Sequence, residues 1–420
     1  MKFLMHEANR MKRLPPYLFT VVDNLKREVK KQGVDVIDFS MGNPDMAPPS
    51  HAIQALREVL SLPGIHRYSK WDLEIEKNFR KAIAQWYEGR FGVHLDPDSE
   101  IVPCIGSKEG IAHLALAFMN NDDLALIPSP AYPVHFNGII MAGGILYNIP
   151  LREDKHYLPD LFSLPKETTR LSKLLMLSYP HNPTAATCDL EFYEKVIHWA
   201  RDKQIIIASD LAYSDFVFRG KRAYSILEVK NAVKHSIEFH TFSKSYSMPG
   251  WRIGFAVGNR EILGSLAKTK SYCDFGIFRA IQYAAAKTLT GPQGYVKKIV
   301  EIYRKRIDLF VDGLNRIGWP TKKPDATFYC WCRIPAKFSE HSSMAFTELL
   351  LREAGIAVAP GTGFGEYGEG YVRFALVVPE DRIKEALKRL QRFLQNGNSD
   401  QKSSRKYRTV AKRLNRLVRK

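Results

Sequence analysis

Cysteine is scarce in this sequence. Five are spread over 420 residues, at Cys104, Cys188, Cys273, Cys330 and Cys332. The number is odd and no C-x-x-C pair occurs, which argues against a disulfide framework or a zinc ribbon. Free thiols in a reducing cytoplasm are expected instead. No stretch approaches the roughly 18–20 uninterrupted apolar residues that span a bilayer. The opening MKFLMHEANRMKRL has no apolar core, so no secretory leader is expected. Glu7 and the lack of serine there argue against a transit peptide. No repeat of fixed period is visible, which removes solenoid architectures.

Negative charge is also short. Lysine and arginine number 62 against 44 acidic residues, a net +18. Such an excess points first to nucleic acid. Its distribution weakens that reading. Residues 396–420 hold nine basic residues against Asp400 alone, so +8 lies there and +10 in the rest. A disordered basic tail over 397–420 is expected, with nucleic-acid or acidic-membrane contact as its alternative role. Val410, Leu414 and Leu417 fall at helical spacing within it. The body suits an enzyme that handles anions.

What is present is a long alternation of short apolar runs and helical periods. Apolar runs at 124–127, 174–178 and 205–209 read as strands buried on both faces. Residues 74–90 read as an amphipathic helix with Ile75, Phe79, Ile83 and Trp86 on one side. Further helices are expected over 190–203, 260–270, 278–289, 295–317, 344–354 and 381–395. Strands are expected over 327–334, 356–359 and 371–378. This is the pattern of a mostly parallel sheet covered by helices, an α/β fold. The string Gly363-Phe-Gly-Glu-Tyr-Gly368 matches G-x-G-x-x-G, but a strand follows it where a dinucleotide fingerprint opens a helix. A flexible loop near a substrate entrance is expected there.

The most informative string is 240–254, HTFSKSYSMPGWRIG. A lysine at the mouth of a buried strand is costly as an unpaired ammonium. It is reasonable if the amine carries an aldehyde cofactor as an imine. Hydroxyls of Thr241, Ser243 and Ser245 with the fork of Arg252 can hold a phosphate. Gly106-Ser107-Lys108 before a helix is a second anion cradle. Asp210 ends an apolar strand, where open α/β sheets bind ligands, although a helix-capping aspartate fits as well. Arg373 sits inside an apolar strand and wants a carboxylate, either internal or from a ligand.

Together these strings resemble the class I/II aminotransferases of pyridoxal 5'-phosphate, from about residue 13 to 393. The similarity is nearest to the bacterial alanine-forming glutamate–pyruvate branch. The resemblance implies the PLP-dependent transferase fold type I, of the aspartate-aminotransferase kind, with a large and a small α/β domain. It implies a flexible start over 1–12, small-domain segments at 13–47 and 296–396, and a cofactor domain at 48–295. Lys244 becomes the cofactor lysine and the proton carrier. Asp210 faces the cofactor ring, Asn182 and Tyr213 its 3'-oxygen, and Tyr132 stacks on it. Ser107, Lys108, Thr241, Ser243 and Arg252 take its phosphate, with Tyr68 reaching over from a second subunit of a homodimer. Arg373 takes the substrate carboxylate, beside Gly42, Asn182 and Tyr17. His181 is a bystander. No metal is expected. The implied reaction is ping-pong transamination between an L-amino acid and a 2-oxo acid, glutamate with pyruvate. LL-diaminopimelate, methionine or aromatic substrates are the alternatives, with β-elimination less favoured.

Overall fold

The computed structural model describes residues 6–396. Its strands are β1 (Ile37–Asp38), β2 (Ile101–Cys104), β3 (Leu124–Ser129), β4 (Ile145–Pro150), β5 (Ser172–Leu177) and β6 (Ile206–Asp210). They continue as β7 (Ser236–Thr241), β8 (Gly254–Gly258), β9 (Tyr329–Arg333), β10 (Ile356–Ala357), β11 (Ala359–Pro360) and β12 (Tyr371–Ala375). Seven form one sheet in the order β2-β8-β7-β6-β5-β3-β4. Its neighbours run parallel except around β8, which is antiparallel to β2 and to β7. The expected mostly parallel sheet is therefore present.

Alternation along each strand feeds two cores. In β5, Leu175 and Leu177 join the cluster under the helix Glu74–Phe91, while Leu174 and Met176 join the cluster on the other face. Side chains of a strand alternate between faces, so a continuous apolar run is needed when both are covered. A third core is built from β1, β9, β10 and β12 with the helices Gly294–Arg316, Ser343–Ala354 and Glu380–Asn396. Its centre is aromatic. Phe374 is wholly buried and meets the rings of Phe39, Phe310 and Trp319 at 5.7, 4.9 and 5.7 Å.

Two expectations need correction. Residues 356–359 are not one strand. Ile356 and Ala357 pair with β1, whereas Ala359 and Pro360 pair with β12, so two sheets divide the run. Residues 363–368 are not a flexible loop but parts of two 3-10 turns, Gly361–Phe364 and Glu366–Gly368. The backbones of Gly361 and Gly368 touch so closely that neither has room for a Cβ. Asn9–Arg13 is helical, and Arg13 donates to the carbonyls of Gly143 and Gly144 at 3.2 and 2.6 Å. A further helix, Pro133–Met141, went unread in the sequence. The basic tail 397–420 and its helical spacing lie outside the described residues. Among the described residues no helix is long and apolar enough to cross a membrane.

Truncating Phe374 leaves a cavity at the centre of the third core. Phe374→Ala is expected to destabilise the unfolding step of that core by about 3–5 kcal/mol in urea titrations.

Candidate active site

The strands β5, β6 and β7 end on the same edge, and a cavity of about 490 Å3 opens beyond them. That volume is within the roughly 300–1,000 Å3 range of small-molecule sites. Except for Tyr68 and Ser245, every residue singled out above for cofactor or substrate contact lines it.

Lys244 comes first in the local argument. β7 stops at Thr241, whose Oγ1 accepts from the Ser243 amide at 3.2 Å and caps the one-turn helix Phe242–Ser245. That turn aims Lys244 inward, and its Nζ donates to the Gly42 carbonyl at 2.7 Å. Burial, then repulsion from Arg373 and Arg252, pushes this amine down to about 7. A Cβ on Gly42 would collide with the Tyr329 hydroxyl, so only glycine brings that carbonyl so close.

Asp210 closes β6. Its Oδ2 lies 2.9 Å from His135 Nε2, and its Oδ1 is buried without a partner. A buried carboxylate oxygen left unpaired is costly, and a ligand N–H would satisfy it. Tyr213 and Tyr329 share a hydroxyl contact of 2.7 Å. Burial, then the Tyr329 oxygen, holds the Tyr213 phenol well above its ordinary range.

The anion cradle lies at the start of the helix Ser107–Phe118. Gly106 has φ +74, and a Cβ there would sit 2.6 Å from Arg252 Nη2. Arg252 donates to Pro249 O at 3.0 Å and Ile105 O at 3.2 Å, which fixes its fork beside that helix end. Burial, then Arg252, lowers the Lys108 ammonium. Beneath the turn, Glu109 accepts from Ile105 N at 2.7 Å and from Lys270 Nζ at 2.8 Å. Glu109, His113 and Asp274 come near enough to hold a cation, but the Lys270 ammonium already bridges both carboxylates. Ser245 is buried and does not line the cavity. Tyr68 is 78% exposed on the surface, its ring 5.2 Å from Phe275.

Arg373 enters from β12. It donates to Asn182 Oδ1 at 2.7 Å and to Ser40 O at 3.0 Å. Rings of Tyr329, Phe364 and Phe19 stand 4.1, 4.6 and 5.7 Å from its guanidinium carbon. No carboxylate pairs with it among the described residues, and its Nε has no partner. No internal acid therefore answers Arg373 among the described residues. Tyr17 lies on the same wall, its ring 5.5 Å from Lys108 Nζ.

Three lining or supporting residues went unread in the sequence. His135 sits on the unexpected helix Pro133–Met141, and Phe19 lies two residues beyond Tyr17. Tyr329 is hidden in an aromatic strand where any ring passes for core. His181 is buried against Thr184, and burial lowers its imidazole to about 3, which keeps it neutral. A larger cleft of about 830 Å3 lies elsewhere, where Arg222 pairs with Glu228, Lys221 with Asp325 and Lys323 with Asp312.

Two outcomes follow from the geometry. In cofactor-free protein Lys244 should become neutral above about pH 7 rather than near its ordinary 10.5. An amine-directed reagent should therefore label it half-maximally near neutrality, as read by peptide mass spectrometry. Gly42→Ala should lower turnover by about 100-fold with an unchanged circular-dichroism spectrum, because the loop must retreat by a fraction of its contact distance.

Residues 34–390 match the family model of aminotransferase class I and II. The chain is 46% identical over 387 residues to an LL-diaminopimelate aminotransferase of Syntrophobacter fumaroxidans, covering 92% of this chain and 98% of that one. It is 43% identical over 379 residues to the glutamate-pyruvate aminotransferase AlaC of Escherichia coli, covering 90% and 92%. Among solved structures, substrate-bound BacF of Bacillus subtilis superposes with a TM-score of 0.88 at 34% identity, covering 93% and 98%. With its lysine, its anion cradle and this likeness along nearly its whole length, the chain belongs to the pyridoxal 5'-phosphate-dependent class I and II aminotransferases, of aspartate-aminotransferase fold.

Proposed function

We propose that this aminotransferase moves the amino group between glutamate and pyruvate, forming alanine and 2-oxoglutarate, in two half-reactions centred on Lys244. The observation that carries the site reading is Arg373, a buried guanidinium with no acid of its own beside a neutral-prone lysine. Rings of Phe19, Tyr329 and Phe364 around it support a short apolar substrate side chain such as the methyl of alanine.

The residues present suit the cofactor. Asp210 Oδ1 lacks a donor, which the pyridine N–H provides. Ser107, Lys108, Thr241, Ser243 and Arg252 offer donors for its phosphate, Tyr132 a ring face, and Asn182 and Tyr213 contacts to its 3'-oxygen. Bound there, the cofactor supplies an aldehyde that takes up the amino group and a ring that accepts the electron pair of the Cα–H bond.

Arg373 and Asn182 orient the substrate carboxylate. Lys244 Nζ, pushed to about 7 by burial and two neighbouring guanidiniums, takes the Cα proton as base and returns it as acid. Phe19, Phe364 and Tyr329 keep water from the Arg373 pocket. Over the full cycle donor and acceptor exchange an amino group and a Cα hydrogen for a carbonyl oxygen.

We read residues 13–47 and 296–396 as one small domain and 48–295 as the cofactor domain. Exposed Tyr68 and Phe275 support a homodimer in which Tyr68 serves the neighbouring site. Five free cysteines, Cys273 exposed among them, support a cytoplasmic place. A second substrate reading, LL-diaminopimelate as donor, is favoured by the 46% relative of that name.

Absorption spectroscopy of the purified holoenzyme tests the role of Lys244 and the substrate pair. A band near the visible edge should bleach with L-alanine and with L-glutamate and return with pyruvate. A band moved by LL-diaminopimelate but by neither of the other two would replace the alanine pair with the second reading. No band after adding the cofactor would overturn the role of Lys244.

A further inference from the structure

The carboxylate-binding arginine is steered by a chain of contacts that begins on a different element. Arg373 Nη2 donates to the Ser40 carbonyl at 3.0 Å. Ser40 is gripped by Asp38, whose Oδ1 accepts from Ser40 N at 2.9 Å and from Ser40 Oγ at 2.6 Å. The other oxygen, Oδ2, receives Lys26 Nζ at 2.6 Å, and the same ammonium reaches Ser40 Oγ at 3.2 Å and Asp23 at 2.6 Å. Lys26 belongs to the helix Leu18–Lys31 and is 11% exposed. Phe19, two turns earlier on that helix, stands 5.7 Å from the Arg373 guanidinium. Tyr17 precedes its first turn and lines the same cavity.

Lys26 is largely covered while Asp38 is about a third exposed, so the lysine charge loses water that its hydrogen bonds have to replace. Burial opposes the Lys26 charge, yet bonds to Asp23 and Asp38 hold the ammonium above its ordinary range. Burial likewise opposes the Asp38 charge, and Lys26 and Ser40 hold the carboxyl below its own. Both stay ionised through neutral pH. Two Arg373 donors are taken, by Asn182 and Ser40, which sets the plane of the fork. Its Nε is left without a partner.

We propose that Lys26 and Asp38 are positioning residues for substrate-carboxylate recognition. They fix the Ser40 carbonyl that orients Arg373, and they pin the helix that holds Phe19 and Tyr17 over it. This inference rests on reading Arg373 as the carboxylate site. Neither Lys26 nor Asp38 lines the cavity, so neither is expected to touch substrate or cofactor.

The test uses holoenzyme variants and whichever of L-glutamate, L-alanine and LL-diaminopimelate converts the wild-type cofactor band. Lys26→Met keeps the aliphatic stem and removes the charge. It should raise half-saturation by that amino acid about 10-fold, with the maximal rate within about twofold and the starting spectrum unchanged. Lys26→Arg should restore half-saturation to within about twofold. Asp38→Asn, which can still accept from Ser40, should follow Lys26→Met. Arg373→Lys is the reference and should raise half-saturation more than any of them. A Lys26→Met enzyme with lowered Tm but unchanged half-saturation, beside an affected Arg373→Lys, would overturn the positioning role and leave the carboxylate site standing. Unchanged half-saturation in Arg373→Lys itself would overturn both.

Discussion

Four cationic side chains, Lys108, Lys244, Arg252 and Arg373, line a cavity that contains a single carboxylate, Asp210. Like charges gathered in a space poor in water repel, and folding has to hold them there. One relief is internal, because the lysine amine gives up its proton near neutrality. The others would be external, since the proposed phosphate and substrate carboxylate both carry negative charge. The electrostatic imbalance of the cavity lining thus favours anionic ligands.

The central sheet makes this arrangement affordable in structural terms. Each charge is carried by a different element, so none can move to escape another without disturbing a core. Lys244 follows β7, Asp210 ends β6, Asn182 follows β5, and Arg373 comes from the separate β12 sheet. Close backbone approach completes the wall. Gly42 leaves room for Tyr329, Gly106 for Arg252, and Gly254 for the Ser107 amide, which would lie 2.9 Å from an added Cβ. Side chains are excluded at these points so that main-chain groups and guanidiniums can face the ligand.

Much of this was legible in the sequence because it rests on local conflict. A lysine after a buried strand and an arginine within one are both expensive, and each points to a ligand without any knowledge of neighbours. The β5 and β6 strands were legible from unbroken apolar runs. What escaped depends on distant contacts. The helix Pro133–Met141 is mostly buried, so it lacks the polar face that marks a helical period. His135 is informative only once Asp210 is seen beside it. The order of residues 361–368 comes from two glycine backbones pressed together, and glycine-rich sequence by itself reads as slack. The split at 356–359 reflects which strands are available as partners rather than any change in composition.

That split has a mechanical meaning. Val358 alone separates β10 from β11, and the two strands belong to different sheets. β10 is bonded to β1, next to Ser40, and β11 is bonded to β12 at Arg373. The two sheets are therefore geared through one residue. The arginine and the carbonyl that steers it ride on the same train of strands, while Lys244 and Asp210 ride on the large sheet. A shift of one sheet against the other would change the span from Arg373 to Lys244 and would strain the Arg373–Asn182 bond, since Asn182 follows β5 of the large sheet. That bond therefore bridges the two sheets at the point where the cavity wall passes from one to the other.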